Sequence, residues 1–220
     1  MTTGGYQHID DLPQTLAVFP LDGAIVLPDG QLPLNIFEPR YLNMIDDAMA
    51  GDRLIGMVQT RAGGDRARPD LAKVGCVGKI TSFSETADGR YLITLTGVCR
   101  FKIVQELALP SPYRQVKADY SEFAVDLVGE TADDLLDRQG FFEALEVFLH
   151  HYELDLDWAS AKSAPTEPLI NSLAAALPFA PTERQALLEA ASLSDRCAAM
   201  IALMRINAAR PADDQSNPLQ

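Results

Sequence analysis

Cysteine, histidine, lysine and tryptophan are all scarce in this chain. Its 220 residues hold three cysteines, three histidines and one tryptophan. Cys76, Cys99 and Cys197 are odd in number, far apart and set in apolar surroundings. That argues against a disulfide framework and predicts reduced, buried thiols of a cytoplasmic protein. The cysteines and histidines form no nucleophile–base pair that spacing identifies. Lys73, Lys79, Lys102, Lys117 and Lys162 are the only lysines, and none has a setting that would desolvate it into a general base. No window approaches the roughly 18 apolar residues that span a bilayer; the longest run, Cys197 to Met204, is far shorter. The opening MTTGGYQHIDDLPQ lacks the basic and apolar regions of a secretory signal, and residues 1–13 read as a mobile leader.

Positive charge is also short. The net charge is −13, and it is unevenly spread. Residues 1–120 carry 14 acids against 12 bases, a balance of −2, whereas residues 121–220 carry 17 acids against 6 bases, a balance of −11. The asymmetry predicts two units, and the acidic excess disfavours a nucleic-acid role driven by phosphate contacts. A hydrophobic content of 47% is enough for a sizeable core.

What is present is organised around residues 16–59. Leu16 to Phe19 reads as a strand, Asp22-Gly23 as a turn, and Ala24 to Leu27 as a second strand. Pro28-Asp29-Gly30 is another turn, and Leu32 to Ile36 a third strand. Pro39 suits a first helical turn. Tyr41, Leu42, Ile45, Ala48 and Met49 then recur at helical spacing, with Gly51 expected to end the helix and Arg53 to Val58 to resume a strand.

Arg61 to Asp70 (RAGGDRARPD) reads as a polar surface loop collecting Arg61, Arg66 and Arg68, a solvated turn or an anion contact. Leu71 to Phe83 is β-rich, with a bulge or bend expected at Gly75 or Gly78. Gly78-Lys79 is no phosphate loop, because Ile80 follows the lysine and the upstream glycine is misplaced. Asp88-Gly89 predicts a hairpin between Thr81–Thr86 and Arg90–Thr96, Gly97 a break, and Arg100–Gln105 and Tyr113–Tyr120 the last strands. From Thr131 the period becomes helical. Thr131/Asp134, Thr182/Gln185 and Ser192/Asp195 have the form of helix-starting boxes. Four helices follow, on stripes containing Leu135, Phe142, Leu145, Phe148 and Leu149, then Ile170, Leu173, Ala174 and Leu177 after Pro168, then Leu187 and Leu188, then Cys197, Met200, Ile201 and Met204.

Pro20-Leu21, Leu27-Pro28, Pro33-Leu34, Ile36-Phe37-Glu38, Arg40-Tyr41, Asp47-Ala48 and Ile55-Gly56 stand in an order and spacing that resembles the opening of the Lon N-terminal, substrate-binding domain family. The likeness continues through VGCVGKI, the segment ending GVCRFKI, PYRQVKADY and NSLAAALPFAPTERQALLEA, and covers about residues 14–208. It implies an α+β fold: a PUA-like curved β pseudobarrel with one packed helix over 14–123, then a helical bundle over 130–210, with a frayed tail at 211–220. In ATP-dependent Lon proteases this region precedes nucleotide-hydrolysing and Ser-Lys protease modules, and neither motif set is visible in these residues. The resemblance therefore implies non-catalytic recognition of unfolded or extended protein segments, without a cofactor. The alternatives are an accessory to a separate protease or chaperone, and PUA-like RNA binding.

The groove is expected between the two units, with Leu34, Phe37, Arg40 and Tyr41 as candidate peptide contacts. The competing reading has Phe37 filling the core while Glu38 and Arg40 tie the helix start to neighbouring strands, and it is the one expected here. Glu146 and His150, at i,i+4 beside Glu143 and His151, could form half of a metal site. A solvated helix end is the simpler account of them, and no metal is expected. Neither nucleic acid nor membrane is expected as a partner, and the sequence leaves the oligomeric state open.

Overall fold

The computed structural model describes residues 5–65, 68–129 and 137–209. Eight strands come first: β1 (Thr15–Pro20), β2 (Gln31–Ile36), β3 (Leu54–Val58), β4 (Thr60–Asp65), β5 (Arg68–Leu71), β6 (Val74–Glu85), β7 (Tyr91–Leu107) and β8 (Arg114–Asp119). Helix α1 (Pro39–Ala50) interrupts them after β2. A 3-10 segment (Ser121–Leu127) leads to α2 (Arg138–His151), α3 (Trp158–Ser163), α4 (Thr166–Ala176), α5 (Pro181–Glu189) and α6 (Leu193–Ala208). The fold is α+β, as expected.

The long β7 explains how the sheet closes. Its first half pairs with β2 and β6, and its second half with β6 and β8. Since β6 pairs with β3, β3 with β1 and β1 with β8, five strands form a ring. Closure removes their free edges, and β2 is left as an added strand with one unpaired edge among the described residues. Among the described strands only β1 and β3 pair in parallel, joined through β2 and α1. Alternation puts Leu16, Val18, Phe101 and Val116 on one buried face, which Gly56 shares, and Phe19, Ile55 and Met57 on the other. Tyr41, Met44 and Ile45 cover it from α1.

Several expectations change. Ala24–Leu27 is irregular rather than a strand, although Ile25, Val26 and Leu27 are buried. Positive φ at Gly23 and Asp29 turns the chain at both ends, and the segment crosses β7 through a bridge between Pro28 and Gly97. An apolar run of four specifies burial without specifying backbone. Gly97 does not break β7, which runs through it. Thr60–Asp65 and Arg68–Leu71 are paired antiparallel strands, β4 and β5, rather than a loop; Arg66 lies outside the described residues. Helix α1 stops at Gly51 with φ −114°, and the left-handed residue is Arg53.

The bulge near Gly78 is present, as a register shift between Val77 and Gly78. The expected leader lies partly against the barrel: Leu12 is buried, and the Tyr120 hydroxyl donates to Pro13 O at 2.8 Å.

In the helical half, the Thr131/Asp134 box and Leu135 lie outside the described residues. The Ser192 cap is present, its hydroxyl accepting from Asp195 N at 3.1 Å. The Thr182/Gln185 box is not. Pro181 takes the first helical position, Glu183 reaches back to Ala180 N at 2.8 Å, and Gln185 turns to the barrel. The sequence reading missed α3, which Asp157 starts by accepting from Ala159 N and Ser160 N.

Polar side chains stitch the helices to the barrel. Buried Gln59 donates to Pro181 O and Gln185 Oε1, both at 3.1 Å, and Gln185 Nε2 donates to Val74 O. Buried Asn171 donates to Pro28 O at 3.0 Å and accepts from Arg196 Nη1 at 2.8 Å. Buried polar groups are tolerated when paired in this way. One continuous apolar core runs through both halves.

Candidate functional site

Two of the four expected contacts, Arg40 and Tyr41, lie together at the start of α1. Pro39 opens the helix and Glu38 is its N-cap residue. Tyr41 falls on the inner face, only 6% exposed, with its ring edge-on to Phe19 at 4.4 Å. The Arg40 guanidinium lies 4.5 Å from the centroid of the Tyr41 ring, and its Nε and Nη2 donate to Glu38 Oε2 at 2.9 and 2.8 Å. Arg40 stays substantially exposed. Glu38 and Arg40 therefore bind each other; the expectation that they tie the helix to neighbouring strands is corrected.

Arg40 and Tyr41 line one side of a groove of about 810 Å³, together with Pro20, Arg68, Pro69 and the loop from Leu107 to Arg114. The loop is braced at several points. Tyr113 donates to Asp47 Oδ2 at 2.6 Å, which fastens it to α1. Desolvation and then the Asp47 carboxylate push the Tyr113 phenol up to about 12. Arg114 grips Glu106 with two bonds, Nε to Oε1 at 2.9 Å and Nη2 to Oε2 at 2.7 Å, and gives Nη1 to Pro69 O at 2.7 Å. Arg68 joins the same carboxylate. Bidentate guanidinium–carboxylate contacts are geometrically restrictive, so the two walls, β5 and the loop, are locked to each other. Pro110 and Pro112 stiffen the loop further, and Leu109 projects from it, 46% exposed.

The groove thus offers prolines, leucines, aromatic faces and guanidinium groups, a surface suited to holding a chain segment. Of the residues expected from sequence, Arg40 and Tyr41 line this groove; the loop and the Arg68–Glu106–Arg114 triad were not expected. The closely spaced Pro110 and Pro112 beside Tyr113 were the available signal for a rigid loop.

The other two expected contacts lie elsewhere. Leu34 is half-buried on β2, opposite Ile93. Phe37 is 62% exposed, with the Arg90 guanidinium 5.9 Å from its ring. The expectation that Phe37 fills the core is overturned. Ile36 takes the inward position at 2% exposure, and strand alternation turns the next residue outward. The groove that holds Arg40 and Tyr41 is lined by the first half of the chain alone, whereas the expected one lay between the two halves. A cleft of about 590 Å³ does lie there, lined by Gln59, Ala72, Lys73, Pro181 and Gln185 among others, but it contains none of the four candidates.

Glu146 and His150 lie on the exposed face of α2, because Phe141, Ala144, Leu145, Phe148 and Leu149 take the inner one. Among the described residues no three His, Cys, Asp or Glu side chains gather as a metal site would require. Among the same residues no helix is long and apolar enough to cross a membrane.

Comparison with known proteins places these features. Residues 15–205 match the family model described as the ATP-dependent protease La (LON) substrate-binding domain. Lon protease 2 of Myxococcus xanthus is 31% identical over 124 residues, 56% of this chain and 15% of that protein. Lon protease of Parabacteroides distasonis is 28% identical over 173 residues, 78% of this chain and 19% of that protein. The chain therefore spans less than a fifth of the length of these two relatives. Among solved structures, the Lon N-terminal domain protein from Xanthomonas campestris superposes with a TM-score of 0.59 at 22% identity, covering 90% of this chain and 99% of that one. The N-terminal domain of Mycobacterium avium complex Lon protease gives 0.60 at 18% identity, covering 87% and 98%. These two establish the fold. The match over residues 15–205 establishes the family, and the chain belongs to the LON substrate-binding domains.

Proposed function

We propose that this chain recognises protein segments, and that it holds unfolded or extended polypeptide in the groove between α1, β5 and the 107–114 loop. The carrying observation is the groove itself: about 810 Å³ of braced surface with Arg40, Tyr41, Pro69 and Leu109 along it. The family description and the Lon names of the relatives support a substrate-binding role. Binding here involves no chemistry on the polypeptide. An extended segment meets apolar and planar surfaces that accept many side chains, so sequence preference is weak.

The test is fluorescence anisotropy of a labelled, permanently unfolded polypeptide, run beside the same protein in its folded form. Saturable binding of the unfolded form alone is the expected result. Arg40→Ala and Leu109→Ser, both exposed positions, should each weaken it roughly 3-fold to 10-fold while circular dichroism stays unchanged. Tyr41 is a poor site for this test, because its burial would confound binding with folding. Unchanged affinity in both variants would remove the groove from the account. Binding to neither form would replace the segment reading with a single dedicated folded partner, such as a separate protease or chaperone.

A further inference from the structure

Phe142 of α2 and Trp158 at the start of α3 stand with ring centroids 6.3 Å apart, inclined at 57°. They wall a cavity of about 410 Å³, whose lining is completed by Gln139, Glu143, Glu146 and Lys162. Two aromatic faces beside two carboxylates form a surface for a cation: ring quadrupoles attract positive charge and the carboxylates balance it.

The protein already places its own cations there. The Arg138 guanidinium lies 5.3 Å from the Phe142 centroid, and the Lys162 ammonium 5.8 Å from that of Trp158. Arg138 is committed, with Nη1 donating to Thr166 Oγ1 at 2.7 Å and Nη2 to Ala164 O at 3.0 Å. Lys162 is not: among the described residues its ammonium has the ring alone. Glu143 accepts from Gln139 at 2.9 Å, whereas the Glu146 carboxylate forms no hydrogen bond or ion pair with a described residue. The surrounding half of the chain carries 17 acids against 6 bases, so its field draws positive charge inward.

We infer that this cavity docks a basic side chain, lysine or arginine, of a bound polypeptide segment. The inference rests on the segment-binding reading and adds a second, charge-selective contact to the groove on the barrel. The incoming cation displaces Lys162 from the Trp158 face and pairs with Glu146. An acidic segment meets repulsion at the same place.

Trp158 is the single tryptophan in the chain, so intrinsic fluorescence reports on this cavity directly. A blocked tri-lysine peptide is titrated against the protein, with blocked tri-glutamate as the control. The expected result is a saturable change with tri-lysine that salt suppresses, and none with tri-glutamate. Glu146→Gln and Phe142→Leu should each weaken binding about 2-fold to 5-fold, and Lys162→Gln should tighten it by removing the competing cation. Circular dichroism confirms that each variant is folded. An absent or peptide-independent change overturns the inference, as does a titration that Glu146→Gln and Lys162→Gln both leave unmoved. Anisotropy with the unfolded polypeptide separates the two readings. If the polypeptide binds while tri-lysine does not, the cation site falls and segment recognition stands. If tri-lysine binds while the polypeptide does not, segment recognition falls and a site for basic groups remains.

Discussion

Arg100 of β7 and Asp126 of the 121–127 segment form an ion pair sealed from solvent, with side chains 1% and 5% exposed. Arg100 Nη2 meets Asp126 Oδ1 at 2.7 Å and Nε meets Oδ2 at 2.9 Å, while the Arg100 amide also donates to Oδ2. The remaining Nη1 donates to Leu188 O and Ala190 O, at the C-terminal end of α5, where the helix dipole favours a cation. The Phe123 ring lies 4.5 Å from the guanidinium. One side chain thereby joins the barrel, the 3-10 segment and the helical half.

Removing only the arginine leaves a buried carboxylate without a counter-ion. Arg100→Leu should therefore lower stability by about 3–5 kcal/mol in urea unfolding, and Arg100→Leu with Asp126→Leu by less, since the double variant buries no lone charge. A single variant as stable as the parent would show that the pair does not bind the halves together.

Asn171 makes the second link, from Pro28 O to Arg196. Asn171→Leu keeps the volume but orphans both partners, so a loss of about 2–4 kcal/mol is expected from unsatisfied buried groups. Because the contact joins positions 28 and 171, hydrogen exchange should rise in both α4 and the 25–30 segment. A rise confined to α4 would argue against the link.

Two glycines should respond differently to alanine. A Cβ on Gly97 would lie 2.0 Å from Leu27 O, a backbone atom that cannot step aside. Gly97→Ala should cost about 3 kcal/mol or more. Gly89, at φ +77° with nothing within 4 Å, faces only the left-handed backbone penalty, so Gly89→Ala should cost about 1–2 kcal/mol. Thermal unfolding of the pair decides it, and equal losses would remove the steric account of Gly97.

Acid should loosen the groove through Glu106. The Arg114 guanidinium, opposed by burial and helped by Arg68, holds this carboxyl below its usual value of 4.5. A depressed carboxyl contributes stability that is present above the unfolded value and lost as pH falls through the folded one. Urea midpoints measured between about pH 6 and pH 3 should fall more steeply for the parent than for Glu106→Gln, whose side chain does not titrate. Parallel curves would refute the assignment.

The thiols should report on global opening. Cys76, Cys99 and Cys197 are buried, and burial pushes all three thiols upward, that of Cys197 to about 11. A thiol-specific reagent should label none of them in the native protein and all three across the denaturant transition. Fast native labelling of any one would identify a local opening.

Much of the site was visible only in fragments. Arg40 and Tyr41 were legible because helix α1 announces itself through Pro39 and a repeating apolar face, and the family motif falls on the same residues. Their partners in the groove were not. Glu106, Arg68 and Arg114 sit on three strands and meet only when the paired strands β4 and β5 fold against the end of β7. Phe37 was misplaced because strand alternation, which turns it outward, depends on where β2 ends. The Phe142–Trp158 cavity needed α3, a helix too short to show a period.

The sequence alone determined the elements whose signals are local: the strands β1, β2 and β3, helix α1, the β6–β7 hairpin at Asp88-Gly89, helices α2, α4, α5 and α6, and the family. Helix caps, tight turns and periodic apolar faces act between residues a few positions apart, so a linear reading captures them. Tertiary structure decided what depends on distant pairing: the irregular path of Ala24–Leu27 over Gly97, the ring closed by β7 and β8, the groove's second wall, and the bonds that Arg100, Gln59 and Asn171 make across the core. Those contacts join residues that are remote in the chain, and whether a buried arginine or asparagine is tolerated depends on a partner that only the folded molecule brings within reach.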